Sequence, residues 1–244
     1  MYQEYLNKIK DKPDRLLLSA TLDKYRQFCK NNKSISTNFL NEYEYKFLSN
    51  SLLYLKIPYN SYKPNDYCDK HIIYFGEYLD FVHVYRINDI FTHSEILGTL
   101  FSIGYTYDKI GDIIIDNSCC YLTNLTKYDH LIDEVKMISN KPVKFIRIDN
   151  FIVNRDKYII KNIIIPSLRL DVIVSKLCNL SRGKASELIN SKKILVNYKE
   201  INNVSYMLKF DDILSIRGYG KYKIGNEQIK TKKDNILLTI YQYN

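Results

Sequence analysis

Two short amphipathic helices, predicted back to back near the C-terminus, constrain the fold of this chain most. In SLRLDVIVSKLCNL, residues Leu170, Ile173, Val174 and Leu177 recur at helical spacing, so one helix face is apolar, and Arg169 and Lys176 lie off it. A second helix is predicted from Ser181 to about Asn190. It buries Ala185, Leu188 and Ile189. The segments ILVN, VSYML and ILSIRG then alternate as short strands, which predicts two helices packed on a small sheet.

The start of the second helix carries an unusual charge pattern. Ser181 stands where an N-cap belongs, and Arg182 and Lys184 follow in the first turn. A capping box would place Glu or Gln at position 184, and acidic residues are the ones that a helix dipole stabilises there. Cations at this end are locally unfavourable unless an anion binds, and free backbone N–H groups beside cations form a phosphate site. We therefore expect a phosphate to bind at this helix end.

The rest of the chain divides into two further regions, giving an α+β protein of three predicted domains. Residues 1–65 show helical spacing in LLLSATLDKYRQFCK and TNFLNEYEYKFLSNSLLYL, and prolines 58 and 64 end this helical region. Residues 66–163 form the second domain, and residues 164–244 form the basic module described above.

The middle domain is predicted to follow the order βαββαβ. FVHVYRI is a strand, and THSEILGTLFSIG is a helix with a Thr92–Glu95 capping box and Gly104 as its stop. GDIIID and CCYLT form a hairpin about Asn117-Ser118, a helix runs from about Lys127 to Ile138, and VKFIRID is the last strand. This order predicts a ferredoxin-like sandwich, with IIYF as a possible extra strand.

The positive charge of the chain is concentrated in its last third. Residues 1–165 contain 22 Lys and Arg against 20 Asp and Glu, a net charge of +2, whereas residues 166–244 contain 14 against 7, a net charge of +7. A basic module of this kind is the electrostatic footprint of a polyanion-binding protein. The 23 tyrosines accompany a similar excess of Lys, Asn and Ile, so we attribute them to composition and not to base stacking.

Several motifs now resemble one family. Arg169-Leu170-Asp171, Ser181-Arg182 with Lys184-Ala185, Leu188-Ile189 and Val196-Asn197 resemble the S4 RNA-binding domain. With IRGYGK, TKKD, HSEILGTLFSIGY and KIGDIII, the chain beyond about residue 70 resembles the YlmH family of bacterial S4-domain RNA-binding proteins. The resemblance implies a cytoplasmic protein that binds rRNA or tRNA on the large ribosomal subunit and acts in translation, in the quality control of stalled ribosomes. Genes of the family often lie near cell division genes.

The predicted RNA-binding residues follow from these motifs. Asp171 orients an arginine or caps the first helix, because a carboxylate facing phosphate would be repelled. Lys193, Lys230, Lys232 and Lys233 are read as ordinary solvated charges, and Gly218 and Gly220 as a tight turn more than as a close approach to RNA. The S4 pattern usually has Gly at the position of Lys192. The predicted RNA-binding residues are Arg169, Ser181, Arg182, Lys184, Lys192, Asn197, Arg217 and Lys221.

No motif indicates catalysis, so we predict a protein that is not an enzyme and has no catalytic residue, no metal site and no cofactor. The lone Cys68-x-x-His71 lacks a second pair of zinc ligands, and Asp112 is read as capping a turn. We expect a cytoplasmic monomer with no membrane partner. Two alternatives stay open: an RNA-modifying enzyme or its accessory subunit, and a division-linked interaction protein.

Overall fold

A computed structural model describes residues 2–149, 151–153, 156–230 and 234–243 of the chain. The backbone contacts divide it into two compact units, residues 1–155 and 156–244. Each unit has its own apolar core and is described by itself. The mixed α and β character predicted from the sequence is confirmed.

The first unit opens with helices and a small sheet. Asp11 caps the helix Lys12–Asn31, and its side chain accepts the N–H of Asp14. The helix Glu42–Tyr54 begins with a capping box of Asn41 and Glu44. Both helices bury leucines, among them Leu18 and Leu48, in one core. The elements are α1 (Tyr2–Lys8), α2 (Lys12–Asn31), β1 (Ile35–Ser36), α3 (Glu42–Tyr54), β2 (Asn60–Tyr62) and β3 (Ile72–Phe75).

The sequence predicted a helical N-terminal region, but this region also contains strands. Its strands β1 and β2 both pair antiparallel with β3, in the order β1-β3-β2. The IIYF segment is thus a strand, but it belongs to this sheet and not to the middle sheet. The backbone N–H and C=O groups of β3 pair with β1 on one side and with β2 on the other, and both of these strands lie within the first 62 residues. The sheet therefore crosses the domain boundary predicted at residue 65.

The middle of the first unit is a four-stranded antiparallel sheet in the order β5-β6-β4-β9. Its β5–β6 hairpin turns at Asn117-Ser118, where the predicted turn is confirmed. The ferredoxin-like classification itself stays a prediction. The elements are β4 (Val82–Ile87), α4 (His93–Ser102), β5 (Ile110–Ile115), β6 (Cys120–Leu125), α5 (Asp129–Glu134), β7 (Met137–Ile138), β8 (Lys141–Pro142) and β9 (Phe145–Ile148).

The two helices beside this sheet differ in how well the sequence predicted them. The capping box of Thr92 and Glu95 at the start of α4 is confirmed, and Gly104 has a φ of 91° just beyond its end. The helix predicted to reach Ile138 ends at Glu134. The chain there becomes extended, because β7 and β8 form a hairpin whose turn residues Ser139 and Asn140 both have positive φ.

The second unit packs two helices on one face of a six-stranded antiparallel sheet in the order β10-β15-β14-β13-β11-β12. The sheet is larger than the small one predicted, because β14 and β15 form a long hairpin, and β10 crosses the boundary predicted at residue 163. The elements are β10 (Tyr158–Ile165), α6 (Leu170–Cys178), α7 (Arg182–Asn190), β11 (Ile194–Val196), β12 (Lys199–Glu200), β13 (Ile213–Ile216), β14 (Gly220–Lys230) and β15 (Ile236–Tyr243).

The VSYML segment, predicted as a strand, has another partner. The carbonyls of Val204 and Tyr206 accept the N–H groups of Asp171 and Leu170, and Leu208 N–H donates to the carbonyl of Leu168. These bonds satisfy backbone donors in the first turn of α6 that have no partner within the helix. The alternating apolar residues of this segment therefore pack beside the start of α6 and form no strand of the sheet.

Candidate nucleic-acid interface

The start of α7 is built as the sequence predicts. Asn179 ends α6 in the left-handed conformation with a φ of 53°, which turns the chain sharply. Ser181 then caps α7, and its hydroxyl accepts the backbone N–H of Lys184 at 3.3 Å. No acidic residue stands in the first turn of this helix. The positive end of the α7 dipole thus carries Arg182 and Lys184.

Asp171 joins the two helix starts. Arg169 donates from Nε to Asp171 Oδ1 at 3.0 Å and from Nη2 to Oδ2 at 3.3 Å. Arg182 donates from Nη2 to the same Oδ2 at 2.5 Å. The Asp171 side chain is only 4% exposed, whereas those of Arg169 and Arg182 are 37% and 63% exposed. The buried carboxylate thus orients two arginines that still reach solvent, the role predicted for it.

The charges of this cluster favour an anion. Burial raises the pKa of Asp171, but hydrogen bonds from Arg169 and Arg182 outweigh burial and hold this pKa below its ordinary value. The hydrogen bond to Asp171 raises the pKa of Arg169. One carboxylate neutralises only one of the two guanidinium groups, and Lys184 adds a further positive charge. Guanidinium groups and a helix N-terminus are the donors that bind phosphate oxygens. Arg169, Asp171, Ser181, Arg182 and Lys184 are named the helix-end cluster below.

Lys192 and Arg217 lie elsewhere in the unit. Lys192 follows the C-terminus of α7, a helix about 13 Å long with Arg182 at its opposite end. Its φ of 56° explains why a glycine would be suited to this position. Arg217 donates its backbone N–H to the carbonyl of Lys193 at 2.9 Å, so Lys192, Lys193 and Arg217 form a second exposed cationic group. Cations beside a helix C-terminus are favourable without any ligand.

Asn197 holds the chain together within the domain. Its Nδ2 donates to Asp212 Oδ1 at 2.7 Å, and its Oδ1 accepts the N–H of Ile213 at 2.9 Å. Its φ of 49° and the φ of 65° at Tyr198 place both residues in a turn between β11 and β12. These contacts give Asn197 a structural role, and its contact with RNA stays a prediction.

Lys221 lies on the sheet face opposite the helices. It alternates with Tyr222, which is buried against them, and its Nζ donates to the hydroxyl of Tyr198 at 3.1 Å. Gly218 and Gly220 have φ of 87° and 119° and form the turn between β13 and β14. The predicted tight turn is confirmed. Of the lysines read as solvated, Lys193 is exposed, the Lys230 side chain is not described, and Lys232 and Lys233 lie outside the described residues.

Polar groups in the first unit are bound to their own unit. Asp112 accepts the backbone N–H groups of Asp69 and Lys70 at 3.0 and 3.1 Å, in agreement with the predicted turn cap. His83 lies between Asp129, 2.6 Å from its Nδ1, and Asp80, 2.9 Å from its Nε2. Sequence patterns do not indicate the contact of His83 with Asp129, because 46 positions separate the two residues.

Across residues 2–149, 151–153, 156–230 and 234–243, no three His, Cys, Asp or Glu side chains are grouped so as to hold a metal ion. Among the helices of those same residues, none is long and apolar enough to cross a membrane. The five cysteines all lie in the described residues, and none of them forms a disulfide bond.

Comparisons with known proteins agree with this geometry. Residues 168–214, which contain the helix-end cluster, match the S4 domain family, and residues 86–150 match the RNA-binding domain family of YlmH. The resemblance to the YlmH family is confirmed. The S4 match ends before Arg217 and Lys221, so these two predicted residues lie outside it.

A curated relative is the ribosome-associated protein quality control protein P2 of Bacillus subtilis strain 168. It is 29% identical over 150 residues, which are 60% of this chain and 58% of that protein. The chain therefore spans less than two thirds of the length of this relative. A solved structure, the cell division protein ylmH from Streptococcus pneumoniae, is 14% identical with a TM-score of 0.48, and it covers 57% of this chain and 93% of its own.

Proposed function

We propose that this YlmH-type chain is a non-enzymatic RNA-binding protein of bacterial translation that binds rRNA or tRNA on the large ribosomal subunit. The observation that carries this proposal is the helix-end cluster. It presents two oriented guanidinium groups, a lysine and a helix N-terminus at one place. RNA phosphates are ligands that match such donors, and the net charge of +7 in residues 166–244 adds attraction over a longer range.

The name of the Bacillus subtilis relative supports a role on the ribosome. That protein is named for ribosome-associated protein quality control. We propose the same setting here: a cytoplasmic monomer that holds peptidyl-tRNA on obstructed large subunits. We propose a ferredoxin-like arrangement for the middle sheet, which would give a second contact with RNA. Three of its strands, β5, β6 and β9, lie within the region matched to the YlmH RNA-binding domain.

Sedimentation of tagged protein in sucrose gradients tests this function. The samples are bacterial lysates at low and at high salt, and the variant carries Arg182→Ala with Lys184→Ala. The matched control carries Lys161→Ala with Lys193→Ala, which removes two exposed cations of the same unit outside the cluster. Wild type and control are expected with large subunits at low salt, and the Arg182–Lys184 variant is expected at the top of the gradient.

A further sample separates the ribosome proposal from RNA binding in general. Large subunits purified with peptidyl-tRNA attached are compared with empty large subunits. Enrichment of the wild-type protein on the loaded subunits supports the quality-control setting. Free migration of the wild-type protein in every gradient would overturn the ribosome proposal, and a base modification lost on gene deletion would favour an RNA-modifying enzyme.

A further inference from the structure

The outward face of the C-terminal sheet carries a line of tyrosines. Tyr222, Ile224 and Ile240 of β14 and β15 point into the core, so the residues that alternate with them point away from the helices. The sheet register places Tyr243 opposite Tyr158, and Tyr241 opposite Ile160. Tyr198, Tyr158, Tyr241 and Tyr243 are each only partly buried. These four residues and Lys221 are named the tyrosine face.

Contacts within the tyrosine face fix its rings. Tyr158 meets Tyr243 and Tyr241 edge to face, with ring centres 4.9 and 5.8 Å apart. Lys221 Nζ lies 4.3 Å from the ring centre of Tyr243 and 5.2 Å from that of Tyr198. Rings that are held in place lose little side-chain freedom on binding a ligand. The cation lies between two of these rings.

Neighbouring charges and shape extend this surface. Lys157 Nζ lies 5.8 Å from the ring centre of Tyr158, and Lys223 pairs in register with Tyr241. Acidic residues also lie on or near this face: Asp211 forms an ion pair with Lys223 at 2.9 Å, Asp156 is exposed, and the exposed Glu200 lies in the same cross-strand row as Lys221. An open depression lies at the edge of the sheet. Its lining residues are Asp156, Lys157, Tyr158, Ile159, Ile160 and Tyr241.

We propose that the tyrosine face binds unpaired bases of RNA, on the side of the sheet opposite the helix-end cluster. Tyrosine rings stack on bases of any sequence, and interspersed lysines attract the phosphates between those bases. The positive charge of the unit favours RNA as the ligand of this face, and three of its lysines lie among the rings: Lys157, Lys221 and Lys223. This inference rests on the proposed RNA-binding function and adds a second binding mode to it. The helix-end cluster recognises phosphates, and the tyrosine face recognises bases.

Two RNA probes of the same length separate the two modes. One is a uridine-rich single strand of twelve nucleotides, and the other is a blunt duplex, whose bases are all paired. The full chain is titrated with each probe and fluorescence anisotropy is measured. The face variant carries Tyr158→Leu with Tyr243→Leu. Its matched control carries Tyr158→Phe with Tyr243→Phe, which keeps both rings. A second control is Tyr54→Leu, at an exposed tyrosine of the first unit that lies outside the region matched to an RNA-binding domain.

The face variant is expected to bind the single strand at least about fivefold more weakly, while its duplex affinity stays within twofold of wild type. Both controls are expected to match wild type for both probes. Thermal unfolding of every variant shows whether the fold is intact, and Lys221→Gln gives a second test of the face if the double leucine variant is unstable. Lys221→Gln is also expected to weaken single-strand binding more than duplex binding.

Other results would overturn the inference and identify its cause. Two outcomes would overturn the tyrosine face and leave the proposed function standing. In the first, the face variant loses affinity equally for both probes. In the second, the face variant keeps its affinity for both probes, while Arg182→Gln with Lys184→Gln weakens the binding of both. Failure of wild type to bind either probe would overturn both. A wild-type dimer that the face variant converts to monomer, with single-strand binding unchanged, would show that the face binds a second copy of the chain.

Discussion

Asp171 accepts a hydrogen bond from Arg182 at 2.5 Å, although eleven positions separate the two residues in the chain. This bond ties the first turn of α6 to the first turn of α7, and Arg169 binds the same carboxylate. The arrangement explains how Arg169 and Arg182 are held at the positive ends of two helix dipoles, those of α6 and α7. The carboxylate offsets part of their repulsion and directs both guanidinium groups to one place.

Removal of this carboxylate is expected to weaken RNA binding, whereas a count of charges alone would predict stronger binding. Asp171→Asn raises the net charge by one, which alone would strengthen RNA binding. We expect RNA affinity to fall at least about threefold, because the arginines lose their orientation. The free energy of unfolding should fall by roughly 2 kcal/mol, since charge-assisted hydrogen bonds are lost. Anisotropy with an RNA hairpin and denaturant unfolding measure the two effects, and tighter binding by the variant would contradict the predicted role.

Lys192 allows backbone strain to be separated from ligand contact. Its φ of 56° lies in the left-handed region, where glycine has no steric cost. Lys192→Gly is therefore expected to raise the free energy of unfolding by up to about 1 kcal/mol, and Lys192→Ala is the control that keeps the strain. If Lys192 contacts RNA, both substitutions should lower RNA affinity equally. Greater stability of the alanine variant would contradict the strain argument.

Two glycines of the first unit should respond to alanine in opposite directions. A Cβ at Gly111 would overlap the hydroxyl and carbonyl oxygens of Thr123, whereas a Cβ at Gly98 would meet no atom within 4 Å. Gly111→Ala should cost about 3 kcal/mol or more by overpacking. Gly98 lies inside α4, so Gly98→Ala should stabilise by about 0.5–1 kcal/mol. Thermal unfolding of the pair is the measurement, and equal melting temperatures would refute this prediction.

Glu42 should make stability depend on pH in the acid range. The hydrogen bond from His71, with help from Lys46 and against the effect of burial, lowers the Glu42 pKa from 4.5 to about 2. A carboxyl whose pKa is lowered by folding stabilises the fold above its unfolded pKa, and this stabilisation is lost as the pH falls from about 4.5 toward 2. Glu42→Gln should reduce the loss of unfolding free energy over this pH window by about 1 kcal/mol. The effect is small because solvent screens the charge of a side chain that is about one-third exposed. The exposed Glu77→Gln is the control, and a curve unchanged by Glu42→Gln would disprove the assignment.

Local patterns predicted the helix-end cluster well, because its residues lie within fifteen positions and have one helix cap as a reference point. The motif Ser181-Arg182-x-Lys184 placed the cations in the first turn of α7. The repulsion between a carboxylate and phosphate indicated that Asp171 orients an arginine or caps the first helix. The contact of Arg182 with Asp171 needed the packing of α6 against α7, which the sequence leaves open.

Other features depended on partners far along the chain. Alternation in VSYML looked like a strand, but its carbonyls satisfy the N–H groups at the start of α6. The hairpin of β14 and β15 was missed because Tyr241 and Tyr243 on its outward face blur the alternation of apolar and polar residues that marks a half-buried strand. Those same two tyrosines, two positions apart, were the available signal for the tyrosine face.

The most direct test of the central claim is Lys184→Glu, measured for both stability and RNA affinity. Glu at position 184 would complete a capping box with Ser181 and suit the helix dipole, so the free energy of unfolding should rise by about 0.5–1 kcal/mol. RNA affinity should fall at least about tenfold, because an acidic group would then face the phosphate. Lys193→Glu is the control for the change of charge alone. If the cations at this helix end serve to bind phosphate, the variant is expected to be more stable than wild type and to bind RNA poorly. RNA affinity equal to that of the Lys193→Glu control would contradict the phosphate site.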